Sequence, residues 1–427
     1  MKYDIAIIGS GPAGYTAAFE AVKSGLKTAL VEKDINNIGG VCLNEGCIPL
    51  KGLLHYSTTI SDCAGIKEIV RKKVAMLKSG LSARLNKGID IINGSAEFLS
   101  RNEININGQI MQSEYFMIAA GSSPKRIFNQ PNVYTSEKIF NLDKPPEKVL
   151  LIGGGVVGCE YATFFSNIGT NVTIVEILDS VLSGEDDEAV RTLVREFKKK
   201  KITVHNKSKI IKINMDNEAA IQKGDHKFTE KFDLIFETAG RIPNTGNLGL
   251  DKAGIEVSEK GFIKVNSMMQ TSAANIYAAG DCIETPMLAY TAYREAETAV
   301  NHIVNKKAPV IDYVNMPRLV FSSPQVGSIG ISEKTAKDSG AKYHIYKYFF
   351  KATGKAVVEG KDAGFIKLIT DNDLITGAAA VGDEIADIMN ELSLIINNKI
   401  KLNDIKRCMH IHPSYSEIII DALKYGG

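Results

Sequence analysis

The stretch Tyr3-Asp-Ile-Ala-Ile-Ile-Gly-Ser-Gly-Pro-Ala-Gly14 joins a short apolar run to a glycine-rich loop. The run predicts a buried strand, and the residues after the loop predict a helix that continues to about Lys23. In such a unit Gly9 permits a tight turn, Gly11 lets the backbone approach a pyrophosphate, and Gly14 lets helix and strand pack closely. The start of the helix would then face the phosphates. The stretch therefore predicts a dinucleotide-binding site.

An acidic residue completes this unit. The next predicted strand, Lys27-Thr-Ala-Leu-Val31, is followed by Glu32, 23 residues after Gly9. A carboxylate at this distance is typical of dinucleotide sites, where it accepts hydrogen bonds from ribose hydroxyls.

A second copy of the same pattern begins at Lys148-Val-Leu-Leu-Ile152 and continues with Gly153-Gly-Gly-Val-Val-Gly158. A helix is predicted to about Asn167, and the strand Asn171–Val175 follows it. Glu176 again stands 23 residues after the first glycine.

The three glycines of the second loop, Gly153, Gly155 and Gly158, repeat the spacing of the first loop. One such loop is weak evidence, because the pattern is short. Two copies, each with a strand before the loop, a helix after it and an acid at the same distance, predict an α/β protein with two dinucleotide sites.

The acid of the second copy also indicates which nucleotide binds there. A carboxylate beside the ribose hydroxyls repels a 2′-phosphate, so Glu176 favours NAD over NADP. Neither Ile177 nor Leu178 supplies the arginine that a 2′-phosphate would need.

Two cysteines lie close together in Gly39-Gly-Val-Cys-Leu-Asn-Glu-Gly-Cys-Ile-Pro-Leu-Lys51. Cys42 and Cys47 are near enough to form and break a disulfide. We expect them at the start of a helix, where the pKa of a thiol is lowered. A redox disulfide beside two nucleotide sites predicts electron transfer between a disulfide, a flavin and a nicotinamide.

The other cysteines are scattered singly, and the spacing of the six fits no zinc site. Single cysteines of this kind are usually small buried residues. A catalytic pair is more plausible than a disulfide framework in a cytosolic chain of this size.

The composition is that of an ordinary globular protein: 427 residues, 44% hydrophobic and 23% charged, with a formal net charge of +2. This balance gives no support for nucleic acid or an anionic membrane as a partner. No apolar run is long enough to span a bilayer, so no membrane span is expected. The charge balance argues against nucleic acid as a partner, and the cysteine spacing argues against a metal site. Because the first strand begins at Tyr3, we expect no signal peptide and a cytoplasmic location.

In the remaining chain, Asn93-Gly94 and Asn107-Gly108 predict turns of a β-meander. An acidic helix start at Gly184-Glu-Asp-Asp-Glu188 precedes the basic run Lys198–Lys201, which is expected to be a solvated helix end.

The segment Asn141–Glu147 is typical of a linker. From about Pro309 the pattern changes to strands near Arg318–Phe321 and Gly364–Ile369, followed by helices. This predicts a separate α+β domain at the C-terminus, with its last helices at Ile385–Asn397 and Glu417–Lys424.

With these residues in view, the chain resembles the flavin-dependent pyridine nucleotide–disulfide oxidoreductases. The resemblance covers nearly the whole chain, and Leu50, Tyr290 and Gln325 depart from residues usual in the family. Its motifs are the two glycine loops, Gly39–Lys51, Ile118-Ala-Ala-Gly-Ser122, Thr238-Ala-Gly-Arg-Ile-Pro-Asn244, Ile276-Tyr-Ala-Ala-Gly-Asp281 and His410-Ile-His-Pro-Ser-Tyr-Ser-Glu417. The family implies tightly bound FAD on the first loop, NAD+ or NADH on the second, and a homodimer built by the C-terminal domain.

The resemblance also implies roles for individual residues. Cys47 would face the flavin and Cys42 would exchange with substrate, while His412 and Glu417 would act as an acid–base pair on the disulfide of the other subunit. Further expected cofactor contacts come from the motifs and from residues beside them. They are Asp281 on the ribityl chain, Lys51 near the flavin and paired with Glu160, and Pro12, Ala13, Lys33, Gly40, Ala120, Gly121, Gly240 and Gly280.

Four segments follow from these implications: an FAD-binding domain in two parts, 1–121 and 242–312, an NAD-binding domain at 122–241, and a dimerisation domain at 313–427. The expected reaction is oxidation of dihydrolipoamide on a lipoyl-bearing protein by NAD+, within a 2-oxo acid dehydrogenase or glycine cleavage complex. The alternatives are an NAD(P)H-dependent reductase of another small disulfide, such as glutathione, and a non-catalytic flavoprotein subunit.

Overall fold

The computed structural model describes residues 2–142, 144–340 and 342–427. Asp143, in the predicted linker Asn141–Glu147, lies outside the described residues. Within the described ranges, no helix is both long enough and apolar enough to cross a membrane.

Strands and helices are numbered in chain order. The strands are β1 (Lys2–Ile8), β2 (Thr28–Glu32), β3 (Ile89–Asn93), β4 (Ala96–Ser100), β5 (Glu103–Ile106), β6 (Gln109–Ile118), β7 (Ser122–Pro124), β8 (Val133–Thr135), β9 (Lys148–Ile152), β10 (Asn171–Val175), β11 (Ile202–His205), β12 (Ser208–Ile213), β13 (Glu218–Lys223), β14 (His226–Lys231), β15 (Leu234–Glu237), β16 (Arg241–Pro243), β17 (Ile276–Ala278), β18 (Arg318–Val320), β19 (Gln325–Gly330), β20 (His344–Phe349), β21 (Phe365–Asp371) and β22 (Leu374–Gly382).

The helices are α1 (Pro12–Lys23), α2 (Gly40–Asn44), α3 (Cys47–Tyr56), α4 (Cys63–Leu85), α5 (Val156–Asn167), α6 (Asp187–Lys199), α7 (Ala289–Asn305), α8 (Glu333–Asp338), α9 (Gly354–Val358), α10 (Ile385–Asn397), α11 (Leu402–Arg407) and α12 (Glu417–Tyr425).

The chain forms two compact units, each made of several segments. The first unit comprises Met1–His55, Ala64–Lys125 and Gly240–Ile311. The second comprises Tyr56–Cys63, Arg126–Ala239 and Asp312–Gly427.

The first unit is built on a seven-stranded sheet in the order β3-β2-β1-β6-β5-β4, with β17 also paired to β6. Strands β3, β2, β1, β6 and β17 run parallel, whereas β4, β5 and β6 form an antiparallel meander. Ile5, Ala6 and Ile7 of β1 are fully buried, as expected for a central parallel strand covered on both faces. Helices α1 and α7 pack against each other.

One detail of the first unit differs from the expected hairpins. We expected both Asn93-Gly94 and Asn107-Gly108 to mark turns of a β-meander. Asn107-Gly108 does connect β5 to β6, but Asn93 ends β3, which pairs with β2 in parallel. The turn signal was correct, but the pairing of β3 depends on a distant strand that a local pattern does not reveal.

Three sheets are found among the described residues of the second unit. A parallel sheet has the order β11-β10-β9-β15-β8, and a small antiparallel sheet has the order β12-β13-β14. The C-terminal part forms an antiparallel sheet in the order β18-β19-β22-β21-β20, with α10 packed on β19 and β22 and with α12 packed on β20 and β21. The predicted helices Ile385–Asn397 and Glu417–Lys424 are confirmed, the second with one further residue.

The basic run Lys198–Lys201 was expected to be a solvated helix end. Helix α6 does end at Lys199, which is exposed. Lys200 is instead half-buried, because its ammonium group donates hydrogen bonds to Ser323, at 2.6 Å to Oγ and 3.3 Å to the carbonyl oxygen.

Candidate active site

The first glycine loop is shaped by residues that tolerate no side chain. Gly9 has φ +102°, and a Cβ there would lie 2.3 Å from the carbonyl oxygen of Ala119. A Cβ on Gly14 would lie 1.8 Å from the carbonyl oxygen of Gly9. These contacts place the start of α1 directly against the turn after β1, with Pro12 and Ala13 opening the helix. The loop therefore presents its amide groups at a helix N-terminus, where a phosphate binds well.

Glu32 is hydrogen-bonded to this same loop. Its Oε2 accepts from the backbone N–H of Ser10 at 2.9 Å and from the Ser10 hydroxyl at 2.6 Å. Its Oε1 accepts from the backbone N–H of Asp34 at 3.2 Å. Each carboxylate oxygen can accept more than one hydrogen bond, so Glu32 retains capacity for ribose hydroxyls. Lys33, the next residue, is exposed.

The second glycine loop repeats this construction. Gly153 has φ +110°, and a Cβ on Gly158 would lie 2.1 Å from the carbonyl oxygen of Gly153. Glu176 accepts from the backbone N–H groups of Gly154 at 2.6 Å and Leu178 at 2.8 Å. A Cβ on Gly155 would meet no described atom within 4 Å, so the space in front of this loop is open. Both loops thus fit a dinucleotide, with an open approach and an anchored carboxylate.

The two cysteines lie on separate helices, which differs from the single helix expected. Cys42 lies on the short helix α2 and is half-buried, whereas the exposed Cys47 begins α3. A hydrogen bond to Cys47, burial and the charge of Cys47 raise the pKa of the Cys42 thiol, and the charge of Lys51 only partly opposes them. The expected lowering of the pKa by a helix N-terminus is therefore wrong for Cys42. A five-residue helix supplies little field, and the neighbouring sulfur outweighs it.

The cysteine segment lies against the first glycine loop. Gly40, the first residue of α2, has φ +62°, and a Cβ there would lie 2.8 Å from the Cα of Gly11. This close backbone approach places the helix that carries Cys42 next to the predicted pyrophosphate position.

Two tyrosines near the cysteines were missed in the sequence. The hydroxyls of Tyr15 on α1 and Tyr293 on α7 lie 2.9 Å apart, in a partly buried position. Burial is the main cause that raises the pKa of both phenols, and the charges of Cys42 and Cys47 raise both further. Both hydroxyls therefore stay protonated beside the thiols. Because Tyr293 is 278 residues from Tyr15, no local pattern could have indicated the pair.

Asp281 is held by two residues that sequence reasoning also missed. The Ser122 hydroxyl donates to Oδ2 of Asp281 at 2.6 Å, and Nε of Arg241 donates to the same hydroxyl at 2.6 Å. Arg241 also donates to the carbonyl oxygen of Ser122 at 2.7 Å, and its Nε lies 3.7 Å from Asp281 Oδ2. The guanidinium group thus holds both the serine and the carboxylate in place.

A buried glutamate supports the residue before Asp281. The carboxylate of Glu295 on α7 is fully buried and accepts from the backbone N–H of Gly280 at 2.7 Å. Gly280 itself has φ +75°, a conformation that favours glycine. The loop that carries Asp281 is therefore held at two points, by Ser122 at the aspartate and by Glu295 at Gly280.

The other predicted contacts of the first unit lie in neighbouring loops. Asn244 donates to the carbonyl oxygens of Ala120, at 3.0 Å from its side chain, and of Gly121, at 2.9 Å from its backbone. Gly240 has φ +101°, and its carbonyl oxygen accepts from the backbone N–H of Lys125 at 3.0 Å.

Lys51 and Glu160 were expected to pair. Lys51 lies on α3 in the first unit, and Glu160 lies on α5 in the second. Glu160 is buried, and its Oε1 accepts from the backbone N–H of Phe321 at 3.0 Å. The pairing of Lys51 with Glu160 stays a prediction.

His412 and Glu417 are brought together as expected. Nδ1 of His412 lies 2.8 Å from Oε1 of Glu417, while Oε2 accepts from the backbone N–H of Ser414 at 2.7 Å. Burial works to raise the pKa of Glu417, but the Ser414 N–H and His412 outweigh it and hold the pKa below its usual value. The His412 side chain is 78% exposed, so its ring is accessible to another molecule.

A second histidine–glutamate pair precedes the first and was missed in the sequence. Nε2 of His410 lies 2.8 Å from Oε1 of Glu391 on α10. The two residues are 19 positions apart, and only the packing of α10 brings them together. This pair ties the loop that carries His412 to the helix layer of the C-terminal sheet.

Residues 3–296 match the pyridine nucleotide-disulphide oxidoreductase family model, and residues 316–423 match the dimerisation domain of that family. The chain belongs to the pyridine nucleotide-disulphide oxidoreductase family, whose members use a flavin and a pyridine nucleotide. The α/β fold with a C-terminal dimerisation domain is confirmed.

Over nearly its full length, the chain is similar to dihydrolipoyl dehydrogenases and to a flavoprotein disulfide reductase. A dihydrolipoyl dehydrogenase from Bacillus subtilis is 34% identical over 457 aligned positions, covering 99% of this chain and 96% of the relative. Another dihydrolipoyl dehydrogenase, from Thermus scotoductus, is 32% identical over 449 positions, covering 98% and 96%. The HOCl-induced flavoprotein disulfide reductase RclA from Escherichia coli superposes with a TM-score of 0.93 at 27% identity, covering 99% of this chain and 100% of RclA.

Proposed function

We propose that this chain is a dihydrolipoamide dehydrogenase: it oxidises dihydrolipoamide on a lipoyl-bearing protein and passes the electrons to NAD+. The position of the cysteine pair supports this proposal most. Gly40 packs against Gly11, so the redox pair lies beside the first dinucleotide loop. That placement suits a disulfide that reacts with substrate on one side and with a flavin on the other.

The protein would carry out the thiol chemistry as follows. His412, oriented by Glu417, takes a proton from one substrate thiol. The resulting thiolate attacks Sγ of Cys42, which breaks the Cys42–Cys47 bond and forms a mixed disulfide. The second substrate thiol then attacks the substrate sulfur and closes the lipoyl ring, while Cys42 leaves and takes up the proton of that thiol, as its raised pKa allows. Two electrons have moved from substrate to the cysteine pair, and lipoamide leaves.

FAD and NAD+ would supply the electron transfer that follows. The first loop with Glu32 and Asp281 would hold FAD, and the second loop with Glu176 would hold NAD+. The carboxylate of Glu176 favours a ribose with a free 2′-hydroxyl. Lys51 would place a positive charge near the flavin and the Cys47 sulfur.

Assembly and cellular context belong to the same proposal. We infer a homodimer through residues 313–427, in which His412 serves the disulfide of the partner subunit. The division into 1–121, 122–241, 242–312 and 313–427 remains a prediction. We propose a cytoplasmic enzyme that serves a 2-oxo acid dehydrogenase or glycine cleavage complex through their lipoyl-bearing proteins.

Reduction of another small disulfide by NADH or NADPH is the second candidate. The full-length superposition on RclA, a flavoprotein disulfide reductase by its description, favours it. The two candidates use the same residues and differ in direction and substrate.

The purified flavoprotein distinguishes the candidates. Oxidation of dihydrolipoamide should proceed with NAD+ and stop in Cys47→Ser and His412→Ala variants. Under the same conditions, NADH-driven reduction of glutathione disulfide should be far slower. Fast glutathione reduction without dihydrolipoamide turnover would replace the proposed function with the second candidate.

A further inference from the structure

A hollow lies beside the acid of the second nucleotide loop. Its volume is about 400 Å³, and it opens at the carboxyl end of β10. Ile177, Asp179, Lys207, Lys209 and Gln222 are among the residues that line it. In parallel sheets of this kind, ligands bind beyond the carboxyl ends of the strands.

Backbone hydrogen bonds fix Lys207 beside Glu176. The N–H of Lys207 donates to the carbonyl oxygen of Leu178 at 2.9 Å. The N–H of Ser208 donates to the carbonyl oxygen of Glu176, also at 2.9 Å. The connection from β11 to β12 therefore runs alongside the residues that follow β10. It brings a cation to the side of the loop where the adenosine ribose would lie.

The two residues after the acid, Ile177 and Leu178, supply no arginine for a 2′-phosphate. The structure supplies a cation from a segment about 30 residues further along the chain. A lysine ammonium is a good partner for a phosphate group, so Lys207 could in principle accept a 2′-phosphate.

Lys207 is paired instead with a carboxylate. Its Nζ lies 3.2 Å from Oδ2 of Asp179. Both side chains are largely exposed, so the ion pair contributes little to the free energy of unfolding. Its charge still matters locally, because Asp179 adds a second negative charge to the hollow beside that of Glu176.

We propose that Asp179 masks Lys207 and thereby acts with Glu176 to select NAD+ over NADP+. Asp179 is a positioning residue: it engages Lys207, whose backbone is fixed beside Glu176, and keeps its ammonium group from a 2′-phosphate. The inference rests on the proposed use of NAD+. The preference for NAD+ would then have two causes. Glu176 repels the 2′-phosphate, and Asp179 keeps the Lys207 ammonium group from attracting it.

Binding of adenosine fragments tests this without turnover. Calorimetry on the flavin-loaded protein would compare 2′,5′-ADP with 5′-AMP, which lacks the 2′-phosphate. Asp179→Asn should tighten 2′,5′-ADP about ten-fold, as expected for one released charge-assisted contact, and change 5′-AMP less than about two-fold. The gain should shrink as salt is raised, because the contact is exposed.

Two further variants assign the effect to Lys207. Asp179→Asn combined with Lys207→Gln should lose the gain. Asp216→Asn makes the same charge change in the turn between β12 and β13 and should leave the affinity for both ligands unchanged.

Three results would contradict the masking role of Asp179, and a fourth would contradict only the proposed function. An unchanged affinity of Asp179→Asn for 2′,5′-ADP, or a gain that persists without Lys207, would overturn the masking role. A wild-type protein that already binds 2′,5′-ADP better than 5′-AMP would overturn it too. Failure to oxidise dihydrolipoamide with NAD+, together with the expected fragment binding, would refute only the proposed function.

Discussion

His412 and Glu417 are joined by a 2.8 Å contact between Nδ1 and Oε1, and the second oxygen of the same carboxylate is bound to the backbone of Ser414. The carboxylate that orients the imidazole is thus itself held by the turn that carries the histidine. Because Glu417 also begins α12, the pair is fixed to the packed C-terminal sheet rather than to a loose tail.

Glu417→Gln should lower kcat for dihydrolipoamide oxidation about 100-fold, within the range of contributions made by acid–base groups. The amide can still accept a hydrogen bond, but it cannot stabilise the imidazolium that forms when His412 takes a proton. Steady-state kinetics with NAD+ measure the effect. Asp421→Asn, one turn further along α12, is the control and should retain most activity. Equal losses in both variants would show that the charge of Glu417 has no special role.

The pH dependence of stability should carry a contribution from Glu417. Its pKa in the folded protein lies below the ordinary value of 4.5. The stabilisation is therefore complete above pH 4.5 and is lost as pH falls through the lower folded pKa. Melting temperatures of the wild type and Glu417→Gln, measured from pH 6 to pH 3, should converge at the acid end. A difference that is constant over this range would contradict the assignment.

The two cysteines should differ in their spectra. If Cys47 faces the flavin as proposed, Cys42→Ser should show long-wavelength thiolate-to-flavin absorbance before any reduction. Cys47→Ser should show none, because the remaining Cys42 sulfur would be the one that exchanges with substrate. Absorbance spectra of both purified variants test the assignment. The opposite pattern would exchange the roles of Cys42 and Cys47.

Mixed dimers should recover activity if the site is shared between subunits. Cys47→Ser and His412→Ala homodimers should each be nearly inactive. In a mixed dimer one site carries both lesions and the other carries neither. Random reassortment of equal amounts should therefore restore about a quarter of wild-type activity. Co-expression with two different tags gives the measurement, and confirmed mixed dimers without activity would place the whole site in one chain.

The buried ion cluster of the second unit should contribute to stability. The Lys367 ammonium lies 2.9 Å from Asp186 and 2.6 Å from Glu333, with its side chain only 6% exposed. Lys367→Met leaves the largely buried Asp186 without its cation, whereas Glu333 is partly exposed, so the unfolding free energy should fall by about 2 kcal/mol. Lys361→Met removes an exposed lysine 3.8 Å from Asp383 and should cost less than about 1 kcal/mol. Urea unfolding of both variants compares them, and similar losses would contradict the special role of burial.

Sequence reasoning located the features whose partners are close along the chain. Glu32 and Glu176 stand 23 residues after the first glycines, and both were expected at the loops that they contact. His412 and Glu417 are five residues apart. In each case a turn or a single strand–loop–helix unit fixes the geometry, so spacing alone is informative.

Features that depend on long-range packing were not predicted. Arg241 reaches Ser122 across 119 residues, and Lys207 reaches Asp179 only because β11 pairs with β10. The acidic start of α6 was recognised, but its partner Lys367 lies 181 residues beyond Asp186. Such contacts are set by strand order and domain packing, which local patterns do not specify.

In the proposed enzyme, Glu32 and Glu176 would each serve two purposes, because the carboxylate that faces a ribose also accepts a hydrogen bond from the backbone of its glycine loop. A substitution of either glutamate would therefore change both the nucleotide preference and the geometry of the glycine loop. An attempt to convert the enzyme to NADP+ by replacing Glu176 would also release the Gly154 N–H, bound at 2.6 Å. A cofactor switch, whether engineered or evolved, would have to provide a new acceptor for that amide as well as a new cation for the phosphate.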